Sequence, residues 1–238
     1  PLLEALRGAP GVRQVIPAGS FRRRMETVGD IDILAAGPDG AEALRLFSAW
    51  EGAGEVLACG GTRSSLRLRS GLQVDLRVVP EESYGAALHY FTGSKAHNIA
   101  IRTRGVQAGL KINEYGVFRG GERVSGAKEA DVFAAVGLPT IEPELREDRG
   151  EIEAASEGRL PALVSLEDIR GDLQSHTLAS DGQADIAAMA RAAQARGYEY
   201  LAVTDHSRRL TVAHGLDAAR LAQQIRDIDR LNGSLRGF

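Results

Sequence analysis

Two aspartates separated by a single isoleucine, Asp30 and Asp32, are the residues of this sequence best suited to chemistry. Polar and apolar residues alternate from Asp30 to Leu34, which predicts a β-strand. Residues i and i+2 of a strand point to the same face, so the two carboxylates would lie side by side. They would raise each other's pKa unless a cation lay between them, and hard oxygen ligands suit Mg²⁺ or Mn²⁺.

A Gly-Ser turn precedes the two aspartates and offers the groups that a phosphate needs. Gly19 and Ser20 can present backbone N–H groups and a hydroxyl, and Arg23 adds positive charge. An Asp-x-Asp pair alone is more typical of solvated surface carboxylates, but the turn upstream favours a functional pair. One end of the motif would then bind a polyphosphate while the other holds metal ions, as in two-metal nucleotidyl transfer.

The whole motif, residues 18–34, resembles that of the family X DNA polymerases and, more broadly, of the nucleotidyltransferases built on the same palm. The resemblance implies a DNA primer-template or gapped DNA and deoxynucleoside triphosphates as partners, with Mg²⁺ or Mn²⁺ as cofactor. It also places Gly29 in the nucleotide site. Val28 departs from the family, which often has a triphosphate-binding serine there, so nucleotide affinity would rest on Ser20, Arg23 and backbone N–H groups.

A third aspartate, Asp75, lies on the second of two strands predicted within residues 62–79, which a tight turn joins. It is either an exposed residue on a strand rich in valine and leucine, or the third carboxylate of the metal site. The family resemblance implies the second role. Asp75 would then bind the catalytic metal and help to deprotonate the primer hydroxyl.

A second family motif, the run Tyr-Phe-Thr-Gly-Ser, breaks one helix at Gly93 and starts another. Carried over by position, Tyr90 and Phe91 flank the incoming sugar and base, and Gly93 lets the backbone approach the sugar. Asn98 would reach the base edge and Arg102 the template strand. Packing of both rings in an aromatic core is the alternative for Tyr90 and Phe91. We expect His89 and His97 to be surface or helix-packing residues.

The family resemblance extends from about residue 10 to residue 150. It divides this part into a palm at residues 1–80, truncated at its N-terminal side, and a thumb with the nucleotide pocket at residues 81–150. We expect a helix at residues 40–50 with Phe47 and Trp50 in the core, a strand at 109–118 and a helix at 128–136.

The chain changes character after a predicted helical linker at residues 151–165. Residues 166–238 alternate strand, loop, helix, strand and loop, a pattern that places chemistry at the carboxyl ends of strands. The two loops contain four candidate metal ligands: His176, Asp181, Asp205 and His206. Ordinary hydrogen-bonded loop residues are the alternative interpretation.

This second pattern resembles the N-terminal part of a PHP (polymerase and histidinol phosphatase) domain, which follows the thumb in bacterial family X polymerases. Such domains bind Zn²⁺ or Mn²⁺ and hydrolyse phosphoesters, in polymerases often as a 3′–5′ exonuclease. Gln174 stands where active PHP domains have the first histidine of a His-x-His pair. The sequence also covers about two β/α units, so we expect no assembled phosphoesterase site.

Composition places few limits on these hypotheses. The chain has 238 residues, a net charge of −3 and one cysteine, Cys59, expected as a small buried residue in a reducing compartment. Residues 60–111 hold eight basic and three acidic side chains, compatible with contact to a phosphate backbone. No membrane-spanning run or secretory leader is recognised, and the first residue, a proline, indicates a fragment. We therefore expect a cytoplasmic, nucleoid-associated bacterial protein without a membrane partner.

The fold class implied is an α+β nucleotidyltransferase palm with a thumb, followed by a partial β/α barrel of the PHP, TIM-like type. The predicted function is DNA-directed DNA polymerisation, extending a primer 3′ end in DNA repair such as base excision repair. The alternative is a metal-dependent PHP phosphoesterase or 3′–5′ exonuclease with a vestigial polymerase half. A third hypothesis, a non-catalytic DNA-binding module, is disfavoured because all three aspartates are present.

Overall fold

The computed structural model describes all 238 residues, which form two compact units, Pro1–Pro161 and Ala162–Phe238. The helices are α1 (Leu2–Arg7), α2 (Gly19–Arg22), α3 (Ala41–Ser48), α4 (Tyr84–Thr92), α5 (Lys95–Gln107), α6 (Glu129–Ala135), α7 (Glu151–Ser156), α8 (Ile186–Ala195) and α9 (Ala218–Asn232). The strands are β1 (Gln14–Pro17), β2 (Asp30–Ala36), β3 (Ala53–Cys59), β4 (Arg63–Leu68), β5 (Gln73–Val79), β6 (Lys111–Asn113), β7 (Gly116–Arg119), β8 (Glu122–Ser125), β9 (Gly171–Ser175) and β10 (Tyr200–Val203).

A five-stranded sheet, in the order β1-β2-β5-β4-β3, organises the first half of unit one. Strands β2 and β5 are parallel neighbours, whereas all other adjacent pairs are antiparallel. Helices α1 and α3 cover one face, where Leu6 and Phe47 are fully buried, and α4 covers the other face beside Leu34. Because both faces are covered, β2 continues as an apolar run from Ile33 to Ala36. Its first residues, which include both aspartates, emerge from this core.

A helical subdomain with the three-stranded sheet β6-β7-β8 completes unit one. Its core includes Ile101, Val117 and Phe133, contributed by α5, β7 and α6. His89 and His97 are buried here, with their rings 5.1 and 5.9 Å from that of Phe133. The two histidines are therefore helix-packing residues of this core.

The predicted linker, residues 151–165, is not uniform in the structure. Its first part is α7, which buries Ile152 and Ala155 in the core of unit one. Its remainder is mostly exposed and crosses the boundary between the two units after Pro161. The helix is short because glycine and proline follow at residues 158 and 161.

Unit two contains two parallel strands, β9 and β10, with α8 between them in the chain and α9 after them. Helix α8 starts where the Asp185 side chain accepts a hydrogen bond from the Ala188 N–H, 2.7 Å away. The Asp217 side chain caps α9 in the same way at 2.9 Å. The described elements amount to a small parallel β/α layer, so no barrel is observed.

Two expectations about unit one are wrong. Residues 109–118 form a hairpin of β6 and β7 instead of one strand, because the Asn113 carboxamide accepts a hydrogen bond from the Tyr115 N–H and reverses the chain. Cys59 is exposed instead of buried, since it ends β3, the edge strand of the large sheet. Trp50 is only partly buried, although it packs against the expected core. No helix has the length and apolar character needed to cross a membrane.

Candidate active site

The two adjacent parallel strands β2 and β5 bring the three predicted catalytic aspartates together. Asp32 on β2 is in register with Asp75 on β5, while Asp30 is in register with Gln73. Because Asp30 and Asp32 alternate with Ile31, both lie on the face of β2 that carries Asp32 towards Asp75. The sheet thus places three carboxylates at one end of its parallel pair.

The three aspartates influence one another electrostatically. The pKa of Asp32 is raised from 3.8 to about 6, first by burial and then by the charges of Asp30 and Asp75, while Arg23 and Arg77 act to lower it. Repulsion of this kind is relieved when a divalent cation binds between carboxylates. The donor set of carboxylate oxygens suits Mg²⁺ or Mn²⁺.

The carboxylate of Asp75 is held in place by two neutral side chains. The Ser65 hydroxyl donates to one carboxylate oxygen, and the Gln73 amide donates to the other at 2.8 Å. Ser65 lies opposite Asp75 on the antiparallel strand β4, and Gln73 lies two residues before it on β5. Asp75 is therefore a partly buried, oriented residue and not an exposed edge residue.

Gly19 is the position that joins the turn predicted to bind phosphate to the aspartates. Its φ is +60°, and a Cβ there would lie 2.2 Å from Asp32 Oδ2. Both the left-handed backbone and the close contact exclude any other residue without rearrangement. The Ala18 N–H also donates to the Asp32 carbonyl at 2.8 Å, which fixes the turn beside β2.

A cavity of about 420 Å³ gathers most of the residues predicted to bind nucleotide, DNA and metal. The predicted residues in its wall are Gly19, Ser20, Arg23, Asp30, Asp32, Tyr90, Phe91, Gly93, Asn98 and Arg102. Thr92, Ser94 and Lys95 complete the wall, and sequence reasoning had assigned them no role. Asp75 lines a second cavity of about 130 Å³, which shares Asp32 and Phe91 with the first. Gly29 is exposed and belongs to neither cavity.

The break between α4 and α5 positions the far wall of the cavity. Gly93 ends α4 with a φ of +74°, and the Ser94 hydroxyl accepts from the His97 N–H to start α5. The Asn98 amide donates to the Tyr90 carbonyl at 2.7 Å, whereas its Oδ1 atom is buried without a partner. The Phe91 ring stacks on the Arg77 guanidinium at 5.0 Å, so Phe91 is fixed by the strand that carries Asp75.

Unit two brings three of its four predicted metal ligands into one cluster. Ligand atoms of His176, Asp181 and His206 all lie within 4.8 Å of one another, and no other three such side chains of the chain are gathered so closely. The three aspartates of unit one are thus more widely spaced than this cluster. The His176 and His206 rings are 4.4 Å apart, and Asp181 lies 3.2 Å from His176 Nδ1 and 3.4 Å from His206 Nε2.

The fourth predicted ligand, Asp205, is not part of the cluster. Its carboxylate accepts hydrogen bonds from Thr177, Ser180 and Gln224 and orders the loop after β9. Burial alone would raise the pKa of Asp205, but these hydrogen bonds hold it below its ordinary value. Gln174 is exposed, two residues before His176 on β9.

Comparison with known proteins agrees with the geometry of unit one. Residues 87–147 match the DNA polymerase beta thumb family. The chain is 42% identical to "DNA polymerase/3'-5' exonuclease PolX" of Bacillus subtilis over 225 residues, which are 93% of this chain and 39% of that protein. It is 30% identical to rat DNA polymerase lambda over 162 residues, 56% of this chain and 28% of that protein. The resemblance to the family X DNA polymerases is confirmed.

The match to DNA polymerase lambda of Arabidopsis thaliana is 26% identical over 171 residues, 58% of this chain and 32% of the relative. The chain thus spans less than half the length of each relative. The thumb match ends at Glu147, close to the end of the segment that sequence reasoning assigned to thumb and nucleotide pocket.

Three consecutive arginines, the last residue of α2 and the two that follow it, each pair with a glutamate of the thumb. Arg22 binds both carboxylate oxygens of Glu129 at 2.7 and 2.8 Å, Arg23 pairs with Glu147 at 2.6 Å and Arg24 pairs with Glu144 at 2.8 Å. The run of basic residues is visible in the sequence, but its partners lie more than 100 positions away. No local pattern indicates such distant pairs.

The pair of Arg22 and Glu129 is extended by a third residue, Arg146. Its side chain is fully buried, donates to Glu129 and to the Ile141 carbonyl, and stacks on Phe133 at 5.0 Å. Burial would raise the pKa of Glu129, but the hydrogen bonds from the two arginines lower it to about 2. Glu129 is therefore ionised at neutral pH and ties α2 to the thumb.

Proposed function

We propose that this chain carries the nucleotidyl-transfer centre of a DNA-directed DNA polymerase that adds deoxynucleotides to a primer 3′ end in DNA repair. The observation that carries this proposal is the cavity of about 420 Å³ that joins the Gly19 turn, two aspartates and the Tyr90–Gly93 segment. A volume of this size, with phosphate-binding groups at one side and aromatic rings at the other, suits a nucleotide. The named activities of the relatives support the same substrate class.

The carboxylates of Asp30, Asp32 and Asp75 would hold Mg²⁺ or Mn²⁺, since they offer oxygen ligands and repel one another without a cation. Such ions, when bound, neutralise the charge that develops on a transferring phosphoryl group. The three aspartates orient the reacting groups, and Asp75 assists removal of the proton from the primer hydroxyl. Its hydrogen bonds from Ser65 and Gln73 fix the carboxylate for that task.

The remaining cavity residues bind and orient the nucleotide and the template. Gly19 and Ser20 present N–H and hydroxyl donors to the triphosphate, with positive charge from Arg23. Gly29, outside the cavity, keeps only the place beside Asp30 that the family motif gives it. The other roles follow the family motif: Tyr90 and Phe91 for sugar and base, Gly93 for close approach to the sugar, Asn98 for the base edge and Arg102 for the template strand. The free Oδ1 atom of Asn98 supports its role.

Primer extension on a gapped DNA, with Mg²⁺ or Mn²⁺, tests this function. We expect the chain to add the templated nucleotide and Asp32→Asn to abolish addition, because the variant loses a metal-binding oxygen at the centre of the site. Asp229→Asn, an exposed aspartate on α9, is the matched control and should extend normally. Extension by Asp32→Asn at the wild-type rate would contradict the proposal.

A second candidate function rests on the cluster of His176, Asp181 and His206. We propose that these residues bind Zn²⁺ or Mn²⁺ as the beginning of a PHP-type site, in keeping with the exonuclease named for the Bacillus relative. Because Gln174 supplies no imidazole, hydrolysis by this chain should be weak or absent. Metal analysis of the purified chain and of His206→Ala, with His214→Asn as control, tests the first statement. A 3′–5′ nuclease assay tests the second.

A further inference from the structure

Arg23, in the wall of the nucleotide cavity, is held by two hydrogen bonds. Its Nε donates to Glu147 Oε1 and its Nη1 donates to the Thr92 carbonyl, both at 2.6 Å. The Arg23 and Glu147 side chains are 12% and 18% exposed, so water screens the pair only partly. A guanidinium has five N–H donors, which leaves Arg23 donors that face no partner in the chain.

Glu147 therefore neutralises the cation that faces the triphosphate site. The attraction between Arg23 and a phosphate depends on the net charge at this corner of the cavity, and an adjacent carboxylate opposes any approaching anion. Lys95 and Arg102 line the same cavity without a salt-bridge partner, so Arg23 is the cavity cation that Glu147 pairs with directly. The acidic residue comes from the thumb, whereas Arg23 directly follows α2.

We infer that Glu147 is a positioning residue that competes with the incoming nucleotide's phosphates for Arg23 and so limits nucleotide affinity. The inference rests on the proposed function, and it adds that Glu147 weakens nucleotide binding at that site. A nucleoside triphosphate carries enough negative charge to draw Arg23 from a single carboxylate, whereas a nucleoside without phosphates does not. The Glu147 pair thereby makes occupancy of this site depend on phosphate charge.

Calorimetric titration of the full chain with deoxythymidine triphosphate and Mg²⁺, in the absence of DNA, measures this competition without turnover. Glu147→Gln keeps the shape of the side chain and removes its charge, so the dissociation constant should fall on the order of fivefold. Glu144→Gln is the matched control, because it breaks the neighbouring pair with Arg24, which is exposed and outside the cavity. Titration with deoxythymidine, which lacks phosphates, should show no gain for Glu147→Gln.

A second pair of variants tests whether the effect passes through Arg23. In an Arg23→Gln background, Glu147→Gln should leave the dissociation constant unchanged, since the group for which phosphate and carboxylate compete is gone. If Glu147→Gln binds the triphosphate no more tightly than the wild type, the inference is wrong and the proposed function still stands. The same holds if a fivefold gain persists in the Arg23→Gln background. Absence of triphosphate binding by every form, wild type included, overturns the proposed function as well.

Discussion

The environment of Asp32 predicts how pH acts on the stability of unit one. Its folded pKa of about 6 exceeds the ordinary 3.8, so the folded state binds more protons than the unfolded state between these values. The free energy of unfolding should therefore fall as pH rises through this window, and Asp32→Asn should remove that dependence. After allowance for solvent screening we expect the variant to be about 1 kcal/mol more stable at pH 7 without metal.

Urea unfolding at pH 4 and pH 7, followed by fluorescence of the single tryptophan, Trp50, measures this difference. Added Mg²⁺ should stabilise the wild type and not the variant, because the cation binds only where the carboxylates repel. A variant that is less stable than the wild type at pH 7 would show that Asp32 is not under electrostatic strain.

The position of Asp75 predicts that its loss impairs the chemical step and leaves nucleotide binding largely intact. Asp75→Ala should lower incorporation by a factor of about 10² or more, since the carboxylate proposed to assist proton removal is gone. Nucleotide binding should change little, because Asp75 does not line the larger cavity. Single-turnover primer extension and a nucleotide titration on the same preparation measure the two quantities. Equal loss of both would contradict the assigned role.

At this residue scale the sequence could indicate the candidate catalytic residues but not the side chains that hold them in place. The alternation around Asp30 and Asp32 and the Gly19 turn predict a site because both depend on neighbouring residues. Ser65 and Gln73 hold Asp75, yet a serine or glutamine on a strand has no pattern that distinguishes a supporting role. Whether a carboxylate binds a metal ion or accepts hydrogen bonds from neighbouring loop residues depends on tertiary contacts. The periodicity of a sequence does not reveal such contacts.

At the scale of elements, Glu129 at the start of α6 predicts how the thumb is attached to α2. Glu129→Gln would leave the buried Arg146 guanidinium without its anion, and we expect unfolding to become easier by about 3 kcal/mol. The wild-type pair contributes most above pH 4.5, the ordinary pKa of Glu129, and loses its contribution as pH falls towards the folded value of about 2. The variant should show none of this acid sensitivity.

Urea unfolding between pH 3 and pH 7 measures that sensitivity. Glu122→Gln, on the exposed edge of β8, is the matched control because it makes no ion pair and should behave as the wild type. Retention of full stability by Glu129→Gln would mean that packing of Arg146 on Phe133 alone holds the thumb in place.

Elements with a strong local pattern were the ones that sequence could predict. Strands β4 and β5 and helix α3 follow from alternating or helical apolar spacing. The hairpin of β6 and β7 was missed because its turn uses one asparagine side chain within an otherwise continuous strand pattern. Strand β3 was also missed, since an edge strand that is mostly exposed lacks the apolar alternation that marks a buried one.

At the scale of the whole molecule, the chain carries two separate groups of candidate metal ligands, one in each unit. The three aspartates belong to unit one, and the cluster of His176, Asp181 and His206 belongs to unit two. The β/α pattern predicted the second group because parallel strands place their following loops at one edge. The pattern could not exclude Asp205 as a metal ligand. Its carboxylate instead accepts hydrogen bonds from Thr177 and Ser180, in the loop after β9.

The imidazole that Gln174 does not supply to the second group predicts that one substitution will strengthen metal binding. Gln174 is the fourth residue of β9 and His176 directly follows the strand, so the two residues have the spacing of the His-x-His pair that the PHP resemblance implies. Gln174→His should add an imidazole ligand and tighten Zn²⁺ or Mn²⁺ binding on the order of tenfold, measured by competition with a chromophoric chelator. Gln223→His on α9 is the control for an added histidine alone. If both variants bind metal equally tightly, or neither exceeds the wild type, Gln174 does not face the cluster, and the PHP-type interpretation of unit two fails with it.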